Sequence, residues 1–264
     1  MCIRDRFIAG IAPGVVLVLL FAIIVYAWGR IRPMDVPPAE QAERIGFGHA
    51  LYSVLPIVLV GAVITVSIYG GIATPTEAAA IAALLTVALA FAMGGLSLKG
   101  LVEALLATMR TMGYLGLLLS AGVLFGFVTT YYRIPQQVTA LFLTFELSPY
   151  WVLFIVIMFY LILGMFMEPT SMTFITLPTV FPLVQAAGFD LIWFGIVYTL
   201  TMEIAVLTPP VGLNLYVIQG IGGRAVTIDD VIMGCLPFIA AMVVLIAMLI
   251  LAPPIALWLP GVMR

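Results

Sequence analysis

Charge is what this sequence has least of. Only 8% of its 264 residues are Asp, Glu, Lys or Arg, where soluble globular domains carry about a quarter, so a water-facing surface cannot be assembled from it. The net charge is −2 and there is one histidine, His49. No basic face exists to neutralise a phosphate backbone, which excludes nucleic acid as a partner. Cysteine is nearly as scarce: Cys2 lies at the extreme terminus and Cys235 in an apolar run, so neither a disulfide framework nor a thiolate metal cluster is indicated. The makings of catalysis are also missing. An active site needs a nucleophile with a base, a carboxylate pair or a histidine cluster, and Glu168 beside Ser171 is insufficient. No enzyme activity and no cofactor are expected.

What is abundant is apolar surface, 64% of the residues with a mean hydropathy of +1.28. Runs near the roughly 20 residues needed to cross a bilayer recur from Phe7 to Trp28, Leu51 to Tyr69, Glu77 to Met93, Met112 to Tyr131, Trp151 to Met167, Leu191 to Leu207 and Val231 to Leu251. The fold class is therefore an all-α polytopic membrane protein, with the lipid bilayer as its solvent. Arg30, Arg32 and Arg44 follow the first run, so the positive-inside rule puts residues 29–50 in the cytoplasm as a polar linker containing Pro33, Pro37 and Pro38. Arg4 and Arg6 would then lie outside, against the rule. Residues 1–6 accordingly read as foreign or misread sequence joined to the chain, and a secretory signal is set aside because the apolar run is too long and no small-residue cleavage motif follows it.

A larger unit spans residues 51–264. It opens with two helices joined by Gly70-Gly71-Ile72-Ala73-Thr74-Pro75-Thr76-Glu77. There Thr74 or Thr76 can cap the second helix, and Glu77 suits its positive N-terminal end. Leu98 to Thr111 is amphipathic, with Lys99, Glu103 and Arg110 placed near the membrane surface, and reads as an interfacial arm. Arg133, Pro135, Gln136 and Gln137 mark a polar turn before the short segment Val138 to Phe145. Scaffold and arm helices are thus expected over 51–145, a region of broken elements over 150–221, and a last helix over 231–251.

Two interruptions carry the functional expectation. The first is a polar island, Glu168, Pro169, Thr170, Ser171 and Thr173, set directly after a span and followed by Pro178 and Pro182. Its spacing predicts a re-entrant hairpin with its tip at Glu168 to Thr173, which is tolerated at membrane depth only where it is buried in protein or lines a cavity. The second is Thr208-Pro209-Pro210-Val211-Gly212-Leu213-Asn214, which breaks an otherwise continuous apolar stretch. Proline removes backbone donors and so frees carbonyls. Thr208 and Asn214 add a hydroxyl and an amide oxygen, a donor set suited to a hard monovalent cation such as sodium. Glu203, inside the Leu191 to Leu207 run, is expected as a buried polar acceptor or cation site, and Thr74, Thr76 and Glu77 are further polar candidates.

Three ordered segments, Gly71-Ile72-Ala73-Thr74-Pro75-Thr76-Glu77-Ala78-Ala79, Leu177 to Gly188 (LPTVFPLVQAAG) and Leu207 to Val217 (LTPPVGLNLYV), resemble the large permease subunit of TRAP (tripartite ATP-independent periplasmic) transporters. Phe7-Ile8-Ala9-Gly10-Ile11-Ala12-Pro13-Gly14 is similar to that family's junction between its two halves. The resemblance runs over residues 7–264. It implies the second inverted repeat of an elevator-type ion transporter in a bacterial inner membrane, with residues 7–28 as the last helix of a first half that this sequence does not include. It also implies a small membrane subunit and a periplasmic binding protein as partners, a small organic acid anion of the C4-dicarboxylate kind as cargo, and a sodium ion as coupling ion. On this pattern Glu168, Pro169, Thr170, Ser171 and Thr173 form one hairpin tip and Thr208, Pro209, Pro210, Gly212 and Asn214 the facing broken helix, with sodium held by Thr170, Ser171, Thr208, Gly212 and Asn214.

Plainer readings stand beside these. Thr208-Pro209-Pro210 can end a helix at the interface, although Leu213 to Ile221 continues apolar. Glu168 can pair structurally near a helix end, Thr74 to Glu77 can be a helix start, Arg110 can anchor to headgroups, and His49 can face solvent. A channel also uses broken helices but needs a continuous pore. A structural, non-transporting membrane subunit is the third class, and saturable uptake separates a carrier from either.

Overall fold

The computed structural model describes residues 3–31, 47–210, 212–222 and 226–262; the linker positions 32–46 lie outside the described residues, as do Val211 and the side chain of His49. Among the described residues eleven helices follow one another: α1 Ile3–Ile31, α2 Phe47–Tyr69, α3 Pro75–Ala92, α4 Leu98–Tyr131, α5 Ile134–Thr144, α6 Pro149–Gly164, α7 Pro169–Ala186, α8 Leu191–Val206, α9 Leu213–Gly222, α10 Ile228–Leu251 and α11 Pro254–Val262. Five of them are long and apolar enough to cross a membrane, and α6 and α8 are shorter apolar helices. Together these seven account for the seven apolar runs of the sequence.

Local chemistry sets the helix starts. Thr74 and Glu77 close a capping box on α3, the Thr74 N–H donating to Glu77 Oε2 at 2.7 Å and the Glu77 N–H returning to Thr74 Oγ1 at 3.4 Å. Thr227 and Asp230 repeat the device on α10. Asp190 caps α8 by accepting from the N–H groups of Ile192 and Trp193 at 2.7 and 3.1 Å. Pro75, Pro149 and Pro169 occupy the first turns of α3, α6 and α7, where an N–H would have no helical partner.

Two expectations about helix boundaries are corrected. The amphipathic segment 98–111 and the span 112–131 are one helix, α4, of 34 residues. No proline or cap stands between them, and the hydroxyls of Thr108 and Thr111 bond back to the carbonyls of Ala104 and Ala107, so nothing ends the helix there. The stretch after the polar island is helical as well, because α7 runs through Pro178 and Pro182 to Ala186. Each proline removes one intrahelical bond, and neither stops the helix.

The chain forms two compact units, residues 1–31 with 116–264, and residues 32–115. In the second, α2 packs along α3. In the first, α8 is the central element, touching α1, α6, α7, α9, α10 and α11. Trp193, Phe194, Val197 and Ile204 of α8 are buried against Val152, Val156 and Tyr160 of α6, Val184 of α7 and Leu245 and Leu249 of α10. A polar contact ties α8 to α10 within this core: the Trp193 indole N–H donates to the Leu249 carbonyl at 2.9 Å. In a continuing helix that carbonyl would accept from position 253, which is proline and has no N–H.

Candidate ion- and substrate-binding site

The first expected segment is the turn between α6 and α7. Helix α6 ends at Gly164, and Glu168 is the N-cap of α7, its carboxylate accepting from the N–H groups of Thr170 and Ser171 at 3.1 and 3.0 Å and from Ser171 Oγ at 3.0 Å. The tip of the hairpin is therefore Met165 to Glu168, slightly before the expected Glu168 to Thr173. Pro169, Thr170, Ser171 and Thr173 form the first turn of α7. All five polar-island residues are half-buried. A carboxylate serving three donors at a helix start is electrostatically well placed, so Glu168 has a structural role whatever else it contacts.

The second segment interrupts a helix, as the prolines predict. Helix α8 stops at Val206 and α9 begins at Leu213. The last turn of α8 tightens to three-residue bonds, Leu207 N–H to Ile204 carbonyl and Thr208 N–H to Ala205 carbonyl, both 3.2 Å. The Thr208 hydroxyl donates to the Ile204 carbonyl at 2.6 Å, which leaves its oxygen lone pairs as acceptors. Val206 would pair with position 210 in a continuous helix, and Pro210 has no N–H to give. Gly212 has φ +45. A methyl group placed on it would stand 2.7 Å from Leu215 Cδ1 and 3.2 Å from the Thr208 carbonyl oxygen, so the chain folds back on itself too tightly for a side chain. Pro209 and Pro210 are exposed, and Asn214 is exposed within the first turn of α9.

The ends of α6 and α8 next to the two segments pack together. Gly164 at the end of α6 lies against Ala205, the residue one turn before Thr208, and the same glycine meets the Met172 methyl from the first turns of α7. Helix α7 is tied to α8 by a 2.6 Å hydrogen bond between Thr173 Oγ1 and the Tyr198 hydroxyl, and to α6 by one of 2.8 Å between Thr176 Oγ1 and the Tyr160 hydroxyl. The Tyr160 and Tyr198 rings meet edge to face at 4.8 Å. Sequence reading missed both tyrosines and Thr176. The signal available was the pair Thr173 and Thr176, three apart and so on one helix face; their partners are distant in the chain.

The buried polar candidates are corrected. Glu203, Thr74, Thr76 and Glu77 are all exposed on this chain. For Glu203 the reason is helical phase: Thr199 and Glu203, four apart, share the open side of α8 while its core positions face inward. The buried polar side chain of α8 is instead Thr201, 1% exposed, whose hydroxyl donates to the Val197 carbonyl at 2.8 Å. Arg110 is exposed on α4.

The family described as "Tripartite ATP-independent periplasmic transporter, DctM component" matches residues 1–255. The C4-dicarboxylate TRAP transporter large permease protein DctM of Pseudomonas aeruginosa is 32% identical over 258 residues, covering 97% of this chain and 59% of that protein. The sialic acid TRAP transporter permease protein SiaT of Haemophilus influenzae is 29% identical over 265 residues, covering 99% and 42%. The ectoine TRAP transporter large permease protein TeaC of Halomonas elongata is 33% identical over 262 residues, covering 97% and 60%. The chain thus spans 60% or less of the length of these curated relatives, whose names carry three different cargoes.

Proposed function

The chain belongs to the DctM component family of the tripartite ATP-independent periplasmic transporters, multi-pass proteins of the bacterial inner membrane and not enzymes, and from that premise we propose that it is the second inverted repeat of a sodium-coupled permease importing a small organic acid. The observation that carries this reading is the helix break at Leu207 to Gly212 beside the α6–α7 turn. Freed backbone carbonyls are tolerated at membrane depth where they face protein, water or a ligand, and discontinuous helices are where transporters hold substrate and coupling ion. Thr208, Gly212 and Asn214 supply oxygens from one side, and Thr170 and Ser171 from the other. No softer ligand is among them, which suits sodium.

The partners in this reading are a periplasmic binding protein that delivers the acid and a small membrane subunit beside the permease. The cargo is a class, not a compound. C4-dicarboxylate and sialic acid in the relatives' names support an acid, and ectoine in a third shows that cargo changes within the family. The elevator motion is part of the proposal, with α6 to α9 moving as the transport element.

The test is uptake of radiolabelled dicarboxylates and sugar acids by the assembled transporter in proteoliposomes, with its binding protein outside. Saturable uptake that follows an inward sodium gradient is expected. Uptake that ignores sodium and follows a proton gradient would remove sodium from the reading, and non-saturating flux would replace the carrier by a channel.

A further inference from the structure

We propose that Tyr198 is a positioning residue of this permease, holding the first turn of α7 in the geometry used by the coupling ion through its hydrogen bond to Thr173; the inference rests on the transport reading above. The direction of that bond follows from the partners on the page. Thr173 Oγ1 already donates its single proton to the Pro169 carbonyl at 2.6 Å, so toward Tyr198, also at 2.6 Å, it acts as acceptor and the phenol donates. Thr176 repeats the arrangement one turn on, donating to Met172 and accepting from Tyr160.

The two bonds differ in what they join. Tyr160 lies on α6, which is already fixed to α7 by the short turn at residues 165–168. Tyr198 lies on α8, the helix that runs into the break, so its bond links the polar turn of α7 to the helix that ends at Thr208. It attaches to the carbonyl of Pro169 through one hydroxyl, and Pro169 directly follows the capping carboxylate of Glu168. The ring of Tyr198 is held separately, edge to face on Tyr160 at 4.8 Å and tilted on Phe194 at 6.1 Å. Removing the hydroxyl alone should therefore release the turn without emptying the core. Thr173 also borders an open groove with Gly122, Gly126 and Pro178, which leaves the freed turn room to shift.

The experiment compares Tyr198→Phe, Tyr160→Phe, Thr173→Val and Thr173→Ser in the assembled transporter, reading sodium half-saturation and maximal uptake rate per inserted molecule. Tyr198→Phe and Thr173→Val should each raise the sodium half-saturation about two- to tenfold, the range for one neutral hydrogen bond, with the maximal rate little changed. The double variant should be no worse than Thr173→Val alone, because that variant already removes the Tyr198 bond together with the one to Pro169. Thr173→Ser keeps the hydroxyl and should restore the wild-type value, and Tyr160→Phe should leave sodium half-saturation unchanged. The proposal is overturned by unchanged sodium half-saturation in Tyr198→Phe, by additive effects in the double variant, or by an equal shift in Tyr160→Phe, which would mean general loosening. Absence of sodium dependence in the wild type would sink the transport reading itself, and this inference with it. A sodium-dependent wild type with an indifferent Tyr198→Phe sinks this inference alone.

Discussion

Gly164 and Ala205 touch where no side chain fits between them: a methyl group placed on Gly164 would stand 2.5 Å from the Ala205 Cβ and 3.2 Å from the Met172 methyl. That contact sets α6 and the first turns of α7 directly on α8, one turn before its break. Gly164→Ala must push these helices apart, at a cost of about 1–3 kcal/mol for overpacking. The expected outcome is a lower melting temperature in detergent and reduced membrane abundance. Gly195→Ala is the comparison, since nothing lies within 4 Å of its added methyl, and equal behaviour of the two variants would contradict the packing.

Gly212 is constrained twice, by φ +45 and by Leu215 and the Thr208 carbonyl beside it. Gly212→Ala should be destabilised by the left-handed backbone, roughly 1–2 kcal/mol, and further by the clash with Leu215. Adding Leu215→Ala should relieve the clash but not the backbone strain, and Leu215 is itself buried. A melting series in detergent separates these contributions, and a neutral Gly212→Ala would show that the break has another shape.

Much of this architecture was legible in the sequence, and the reasons differ by element. The prolines at 209 and 210 announce the end of α8 because a missing N–H is a covalent fact. Thr74 with Glu77 announces the start of α3 because both halves of its capping box lie within four residues. Pro178 and Pro182 are less informative: they stand inside α7, where each removes one bond and the helix continues. Glu203 misled, since an apolar run says that a carboxylate is within a span but not which side of the helix it faces. The Thr173–Tyr198 and Thr176–Tyr160 pairs were not legible at all, because side-chain partners 25 and 16 residues apart are brought together only by packing.

The proposed coupling is open to test at Thr208. Its hydroxyl proton is given to Ile204, so only its lone pairs face outward, as a cation requires. Thr208→Val keeps the shape and removes that oxygen, and Asn214→Ala removes the amide oxygen two residues into α9. Each should weaken apparent sodium affinity about ten- to hundredfold, the effect of losing one polar interaction with a charged partner worth about 1.5–3 kcal/mol. Thr208→Ser should behave as wild type. Unchanged sodium dependence in stably inserted Thr208→Val and Asn214→Ala would reduce the segment to a plain helix break.

Topology offers an independent check. The positive-inside rule predicts a cytoplasmic 29–50 linker and a cytoplasmic turn near Lys99. In a background lacking Cys2 and Cys235, cysteines introduced at Ala39 and Gly95 should resist an impermeant thiol reagent in intact cells. A cysteine at Ile72, 77% exposed between α2 and α3, should react if both helices cross. Efficient labelling at Ala39 or Gly95 would invert the assignment.

The hydrogen bond from Trp193 to Leu249 also imposes an order on biogenesis. The donor is synthesised 56 residues before its acceptor, so when α8 leaves the ribosome its indole N–H has no mate, and hydrocarbon offers none. Nor does the Leu249 carbonyl find one nearby, since Pro253 denies it the usual donor. Helix α8 therefore reaches its final seat only once α10 has entered the membrane, and the last long helix governs when the helix ahead of the break becomes fixed. Nascent chains arrested before residue 228 should leave α8 open to protease or to thiol labelling, and chains arrested well beyond residue 253 should protect it.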